Sequence, residues 1–424
     1  MMEVQVFKFG GASVKDAPAI ENLQQILRRY PNEHLVVVIS AMGKTTNFLE
    51  KTLAAYRDGS PDWHALVDEL QRQHEDVAER LVPDPGAIID HLRHIFDGLR
   101  ERLSQQPDAN YDFDYDQIVS YGELLSTTLI SGYLNIAGIP NLWLDARTLV
   151  RTDATYREGV VDWKTSCRQI RTAVENAFSQ QFPIVITQGF IGGTSDQHTT
   201  TLGREGSDYS AAIMAYALDA RNVTIWKDVP GLLNADPKRF PDAVKLDKIP
   251  YEEAVELSYY GASIIHPKTL KPLQNKQIPL YVKSFFQPDS EGSIITKCPL
   301  DTTIPSFIVK DHQTLITIFP KDFSFIAVDN LSDIFAVLSQ HRIRINMMQN
   351  SALSFSVCTD AEPRRVHSCI KALQGKYKVK YNEDVQLITI RHHTPDAIDR
   401  VMRGRVVLLR QTSRATIQFV VHPK

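Results

Sequence analysis

The sequence is poor in cysteine. Four occur in 424 residues, Cys167, Cys298, Cys358 and Cys369, far apart, with no Cys-x-x-Cys pair and no histidine at zinc spacing. This pattern excludes a disulfide framework and a zinc finger, and fits reduced thiols in the cytosol. Long apolar runs are also missing: "LVVVIS" at residues 35–40, for one, falls far short of the roughly 20 residues that cross a bilayer. The start, Met-Met-Glu followed by a strand-like run, carries no signal-peptide pattern, so a cytoplasmic protein is expected. Neither sign of charge dominates. With 47 Lys and Arg against 50 Asp and Glu, the net charge is -3, which leaves no electrostatic footprint for nucleic acid or an anionic membrane. What remains is an ordinary globular composition, 43% apolar and 23% charged, long enough for two domains or three small ones.

The first part alternates short β-branched runs with amphipathic helices. "EVQVFKF" (3–9) reads as a strand and "DAPAIENLQQILRRY" (16–30) as a helix. Asp16 is its N-cap, and Ile20, Leu23, Ile26 and Leu27 form its apolar stripe. "HLVVVIS" (34–40) is nearly continuous apolar sequence, as a parallel strand covered on both faces requires. "PIVITQGF" (183–190), "NVTIW" (222–226) and "IPLYVKSF" (278–285) continue the series, and residues 47–103 read as several helices outside the sheet. The expected fold is α/β: a mostly parallel sheet sandwiched by helices over residues 1–290.

A Pro/Ser/Gly/Asp-bearing stretch at 286–303 reads as a linker. Beyond it the units shorten into a βαββαβ pattern and then a partial repeat lacking one strand, which "IPSFIVK" (304–310) can supply. Two small α+β units in tandem are expected over 304–424. The first covers about 312–382, and the second combines about 304–311 with 383–424.

Candidate chemistry gathers in three loops. In "VFKFGGASVKD", Lys8 ends the first strand and Gly10, Gly11 and Ser13 follow. Backbone N–H groups without an obstructing Cβ can approach an anion there, next to the start of a helix. "VISAMGKTTN" repeats the arrangement with Ser40, Gly43, Thr45 and Thr46. "QGFIGGTSDQHTTTLGREGSDYSAA" gives the third, running through Gly189, Gly192, Gly193, Gly203 and Gly206 into a helix capped by Ser207 or Asp208. One such turn is a common structural feature. Three on one sheet edge mark a phosphate-binding crevice. Arg204 can take a carboxylate bidentately, and Glu123, an acid among apolar and small residues, suits an ammonium; together they suggest an acidic amino acid. Apart from His198 the loops hold no histidine, and no Ser/His/Asp spacing emerges. That argues against hydrolysis and fits phosphoryl transfer, which needs charge stabilisation more than a base.

Six motifs in order, "KFGGAS", "SAMGKTTN", "GELLST", "TTLGREGSD", "WKDVPGLLNADPK" and "GASIIHPKTL", resemble the aspartate kinases of the amino-acid kinase family, including tandem ACT regulatory domains. The resemblance implies phosphorylation of L-aspartate by ATP with Mg2+, giving 4-phospho-L-aspartate on the route to lysine, threonine and methionine. By this resemblance Lys8, Asp208 and Arg204 are catalytic, Lys8 neutralising the phosphoryl group of ATP in transfer and Asp208 organising Lys8, while Ser40, Thr46, Glu123, Arg204 and Ser207 hold aspartate. Gly10, Gly11, Ser13, Lys227, Asp228, Leu233, Lys238 and Ser263 would meet ATP. Met348, Asn350 and Ser351 would meet an amino-acid effector, lysine or threonine, and the ACT domains would build a homodimer or homotetramer. Three residues depart from the family pattern: Glu205 stands for a glycine, Lys227 for a small hydroxyl residue and Ser263 for a lysine. Two rivals are a kinase acting on glutamate, acetylglutamate or carbamate, and an inactive amino-acid sensor. His266-Pro267 reads as a turn.

Overall fold

The computed structural model describes residues 3–262, 265–300, 304–322, 324–360 and 362–422. Two compact units emerge: residues 1–232, 245–255 and 264–299 form the first, and 233–244, 256–263 and 300–424 the second.

The first unit is built on an eight-stranded sheet. Its opening strands are β1 (Val4–Phe9), β2 (His34–Ile39), β3 (Asn141–Leu144) and β4 (Ile184–Gln188). A hairpin of β5 (Ile191–Gly193) and β6 (Thr199–Thr201) follows outside the sheet, and β7 (Asn222–Lys227) returns to it. β1 lies at the centre, paired in parallel with β2 on one side and β7 on the other. The chain therefore leaves β1 towards β2 and only later fills the far side, and such a reversal opens a crevice at the carboxyl ends of the strands. Strand Leu280–Ser284 extends the sheet beyond β7. Ser293–Thr296 pairs antiparallel with it, so part of the stretch read as a linker is a strand. Its alternating burial, with Ser293 and Ile295 inward, gives the reason.

Helices cover both faces. They are α1 (Ala17–Leu27), α2 (Thr45–Arg57), α3 (Asp62–Leu81), α4 (Gly86–Ser104), α5 (Tyr111–Val119), α6 (Tyr121–Ile136), α7 (Ala146–Leu149), α8 (Trp163–Ser179) and α9 (Gly206–Leu218). Asp16 caps α1, its carboxylate accepting from Ala19 N–H at 3.0 Å. Along β1 the side chains alternate: Phe7 and Phe9 join Trp226 in the core, and α9 packs on β1, β2 and β7. α9 comes close because Ala211, Ala212 and Ala215 on it are fully buried and small.

The second unit carries one six-stranded antiparallel sheet, in the order 345–350, 355–360, 306–320, 377–391, 416–421, 407–412. The tandem units read from the sequence share this sheet, because Ser306–Pro320 and Tyr377–Arg391 are each single 15-residue strands. A register shift between Lys310 and Gln313 separates their two halves. Residues 313–318 then pair with 355–360, whereas 386–391 pair with 416–421.

Candidate active site

The three loops meet at the ends of neighbouring strands. Ser40 N–H donates to the Phe9 carbonyl at 3.1 Å, and Gly189 N–H to that of Ile39 at 2.9 Å. Gly43 N–H donates to the Gly11 carbonyl at 3.0 Å. A Cβ on Gly11 would lie 2.8 Å from the Ala41 carbonyl oxygen, and one on Gly189 would lie 2.6 Å from Ser207 Cβ. These glycines are fixed by the close approach of one loop to the next.

Lys8 and Asp208 form the centre. Lys8 Nζ lies 2.6 Å from Asp208 Oδ1, with side chains 11% and 4% exposed. Lys227 Nζ stands 3.8 Å from Asp208 Oδ2, so one carboxylate faces two cations. The sheet explains this. Lys8 is opposite Ile225 in the parallel pair, and Lys227, two residues further, projects from the same face. Burial pushes the Asp208 carboxyl up, but the charges of Lys8 and Lys227 and their hydrogen bonds outweigh it and hold the group below its ordinary range. The sequence suggested Asp208 or Ser207 as the cap of α9, whereas the N-cap is Glu205 and α9 begins at Gly206. Asp208 is therefore in the first turn, free to face Lys8.

Glu123, in the first turn of α6, is 3% exposed. Its Oε1 accepts from Ala41 N–H at 3.3 Å, and among the described residues its buried Oε2 has no hydrogen-bond partner. Burial pushes the carboxyl up to about 8, against the Ala41 N–H and the charge of Lys8. A buried polar atom left open in this way calls for a hydrogen-bonding partner.

The other expected residues are distributed as follows. Thr46 lies half-buried in the first turn of α2, and Ser207 half-buried in that of α9. Ser40 is half-buried, its carbonyl accepting from Ser126 Oγ at 2.8 Å. The Ser13 hydroxyl turns back to the Trp226 carbonyl at 3.5 Å. Arg204 and Asp228 are exposed. Leu233 and Lys238 belong to the second unit, where Lys238 N–H donates to Asp236 Oδ1 at 2.9 Å in a turn. Ser263 lies outside the described residues. Met348, Asn350 and Ser351 are exposed at the edge strand 345–350 and the turn after it. His266 caps the helix Pro267–Lys276. Glu205, which stands where the family pattern has glycine, has a left-handed backbone (φ +54°), and its Oε2 is buried without a hydrogen-bond partner among the described residues.

Residues 3–284 match the model of the amino acid kinase family. The chain belongs to this family. It is 30% identical over 405 residues to lysine-sensitive aspartokinase 3 of Escherichia coli (strain K12), spanning 92% of this chain and 87% of that one. Against the chloroplastic bifunctional aspartokinase/homoserine dehydrogenase 1 of Zea mays it is 28% identical over 88% of its length but spans only 41% of that relative. Among solved structures, E. coli aspartokinase III in complex with aspartate and ADP superposes with a TM-score of 0.85 at 26% identity, over 99% of this chain and 96% of that one. The same enzyme in complex with lysine and aspartate gives a TM-score of 0.81, again at 26% identity and the same coverage.

In this amino acid kinase, reading the sequence alone missed two features. One is the sharing of Asp208 by two lysines. The other is Asp116, wholly buried yet bonded to β6 and to Arg157 N–H. Its only signal was the acidic run "DFDYDQ" at 112–117, which reads equally well as a solvated helix face.

Proposed function

We propose that this amino acid kinase is an aspartate kinase, transferring the γ-phosphoryl group of ATP to the side-chain carboxylate of L-aspartate. The observation that carries the reading is the convergence of the Lys8–Asp208–Lys227 cluster and Glu123 at the tips of adjacent strands. Similarity to the E. coli enzyme that binds aspartate and ADP supports it.

A carboxylate oxygen of aspartate attacks the γ-phosphorus. The new O–P bond forms as the bond to the β–γ bridging oxygen breaks, and ADP leaves with that electron pair. The attacking group has an unperturbed pKa of about 3.9 and needs no base. Lys8 meets the charge spreading over the phosphoryl oxygens, and Asp208 keeps its ammonium aimed. Gly10, Gly11 and Ser13 line the phosphate turn, with Lys227 and Asp228 at the neighbouring strand end. Glu123 receives the substrate ammonium and Arg204 a carboxylate, and Ser40, Thr46 and Ser207 add hydroxyl groups. Mg2+ carried by ATP would lower the charge of its phosphates.

In this reading the second unit comprises two ACT-type halves, about 312–382 and about 304–311 with 383–424. Met348, Asn350 and Ser351 face an effector, lysine or threonine, and the unit joins chains into a dimer or tetramer. The protein works in the cytoplasm; no helix among the described residues is long and apolar enough to cross a membrane.

The test is a coupled ADP-release assay with aspartate, glutamate, acetylglutamate and carbamate, trapping the acyl phosphate with hydroxylamine. Release that depends on aspartate, and falls with added lysine or threonine, is expected. Release with glutamate alone, or none with any acid, would sink the reading.

A further inference from the structure

Helix α5 carries in its last turn two polar side chains, Asp116 and Gln117, that complete the hydrogen bonding of β6 as a neighbouring strand would. Gln117 Nε2 donates to the Thr199 carbonyl at 2.8 Å, and Thr199 N–H donates back to Gln117 Oε1 at 3.1 Å. One residue earlier, Asp116 Oδ2 accepts from Thr201 N–H at 2.8 Å, and its Oδ1 from the Thr201 hydroxyl at 2.7 Å. The Thr201 carbonyl is taken by Gly159 N–H at 2.9 Å. The hairpin has only two strands, so without these groups the outer edge of β6 would be buried with open donors and acceptors.

The same carboxylate reaches further. Asp116 Oδ2 also accepts from Arg157 N–H at 2.8 Å. The Arg157 carbonyl in turn stands 3.1 Å from where a Cβ on Gly203 would be, and Gly203 has φ +78°. The chain beyond β6 is then tied at each step: Leu202 N–H donates to the Phe190 carbonyl at 2.8 Å, and Gly206 N–H to the Gly203 carbonyl at 3.0 Å. Arg204 is the exposed residue between those two ties. α5 also bonds to α2, where Thr46 sits, through Tyr115 Oη donating to Glu50 Oε1 at 2.9 Å, and it runs through Ser120 into α6 with Glu123.

We propose that Asp116 and Gln117 are positioning residues for the acidic substrate, clamping β6 so that Arg204 is held where a substrate carboxylate meets it. This rests on the aspartate kinase reading. A buried carboxylate that accepts from two backbone N–H groups and one hydroxyl is suited to fix a chain segment. Pre-positioning of a side chain on a loop acts on the ligand that side chain touches, not on the other substrate.

The experiment compares Asp116→Asn and Gln117→Leu with the wild-type full-length chain, measuring kcat and the KM values for aspartate and ATP separately. Asp116→Asn should raise the aspartate KM about tenfold or more, and Gln117→Leu several-fold, with the ATP KM within twofold of wild type. Gln117→Leu keeps the test open if Asp116→Asn does not fold. A merely structural role would lower active enzyme, or raise both KM values together, and that result overturns the proposal. So does an aspartate KM within twofold of wild type in both variants. A wild-type chain that releases no ADP with aspartate fails the kinase reading itself, whereas active wild type with unmoved variants fails the clamp alone.

Discussion

Glu123 links folding, pH and substrate in one measurable prediction. In the unfolded chain its carboxyl titrates near 4.5; burial in the native chain pushes it up to about 8. The folded state therefore holds a proton that the unfolded state has lost between those values. Stability falls as pH rises through this window, at up to about 1.4 kcal/mol per pH unit. The whole penalty comes to about 3–5 kcal/mol at pH 8 and above, a large share of the 5–15 kcal/mol typical of a domain. Glu123→Gln keeps the shape and the acceptor for Ala41 N–H but cannot ionise, so it should be the more stable protein at pH 8.5 and show no such decline. Urea unfolding of both chains from pH 5 to 8.5 reads this directly. Substrate should reverse the effect. An ammonium placed on Glu123 favours the ionised form, so aspartate binding at pH 7 should release close to one proton, measurable by calorimetry in buffers of different ionisation enthalpy. The Gln variant should bind aspartate about 10–100-fold more weakly, as loss of a charge-assisted hydrogen bond predicts. Parallel unfolding curves for the two chains, with no proton released on binding, would refute the reasoning.

His74 should act in the opposite sense. It is fully buried, and desolvation pulls it down to about 4 from 6.5 despite its bond to the Leu70 carbonyl. The unfolded chain binds the extra proton, so stability falls as pH drops from 6.5 towards 4, by about 3 kcal/mol at most. Its slope cancels that of Glu123 between about 4.5 and 6.5, and unfolding of His74→Leu should expose the Glu123 decline across that range; an unchanged profile contradicts this. Lys227→Thr should weaken ADP binding about 5–30-fold. A charge about 4 Å away is worth about 1 kcal/mol in water and about 4 at an effective dielectric of 20, and Lys227 is 25% exposed. Calorimetry should show that loss shrinking at high salt; affinity within twofold of wild type would count against it. Glu205→Gly removes a left-handed non-glycine residue, at about 1 kcal/mol, and an unpartnered buried carboxylate oxygen. It should leave the melting temperature equal or higher and lower the ATP KM several-fold; a higher KM would show that Glu205 helps the nucleotide bind.

Local chemistry made much of the fold and half of the site legible. Apolar runs and a helix-spaced stripe marked β1, α1 and β2, because side-chain period is a property of adjacent residues. Lys8 before Gly10 and Gly11 suggested a phosphate turn for the same reason: a strand end, an unobstructed backbone and a charge lie within four residues. Where the meaning of a residue depended on a distant partner, the sequence left it open. Asp208 read as a helix cap and, through the motifs, as the residue that organises Lys8; only the stacking of α9 on β1 and β7 made it the shared counter-ion of Lys8 and Lys227. Glu123 showed an acid among apolar neighbours, but its open oxygen and raised pKa are products of desolvation by segments far along the chain.

Asp116 and Gln117 gave no signal beyond an ambiguous acidic run, since a helix that finishes the edge of a hairpin 82–85 residues later follows no period. The 15-residue strands that fuse the two small units into one sheet were read in pieces, because a polar middle such as "YNED" looks like a turn when its pairing partner is unknown. Sequence by itself determined the strands, the helices and the glycine- and hydroxyl-rich loops between them. Tertiary structure alone decided which charges face each other, because electrostatic roles are set by distance and burial, and neither is written along the chain.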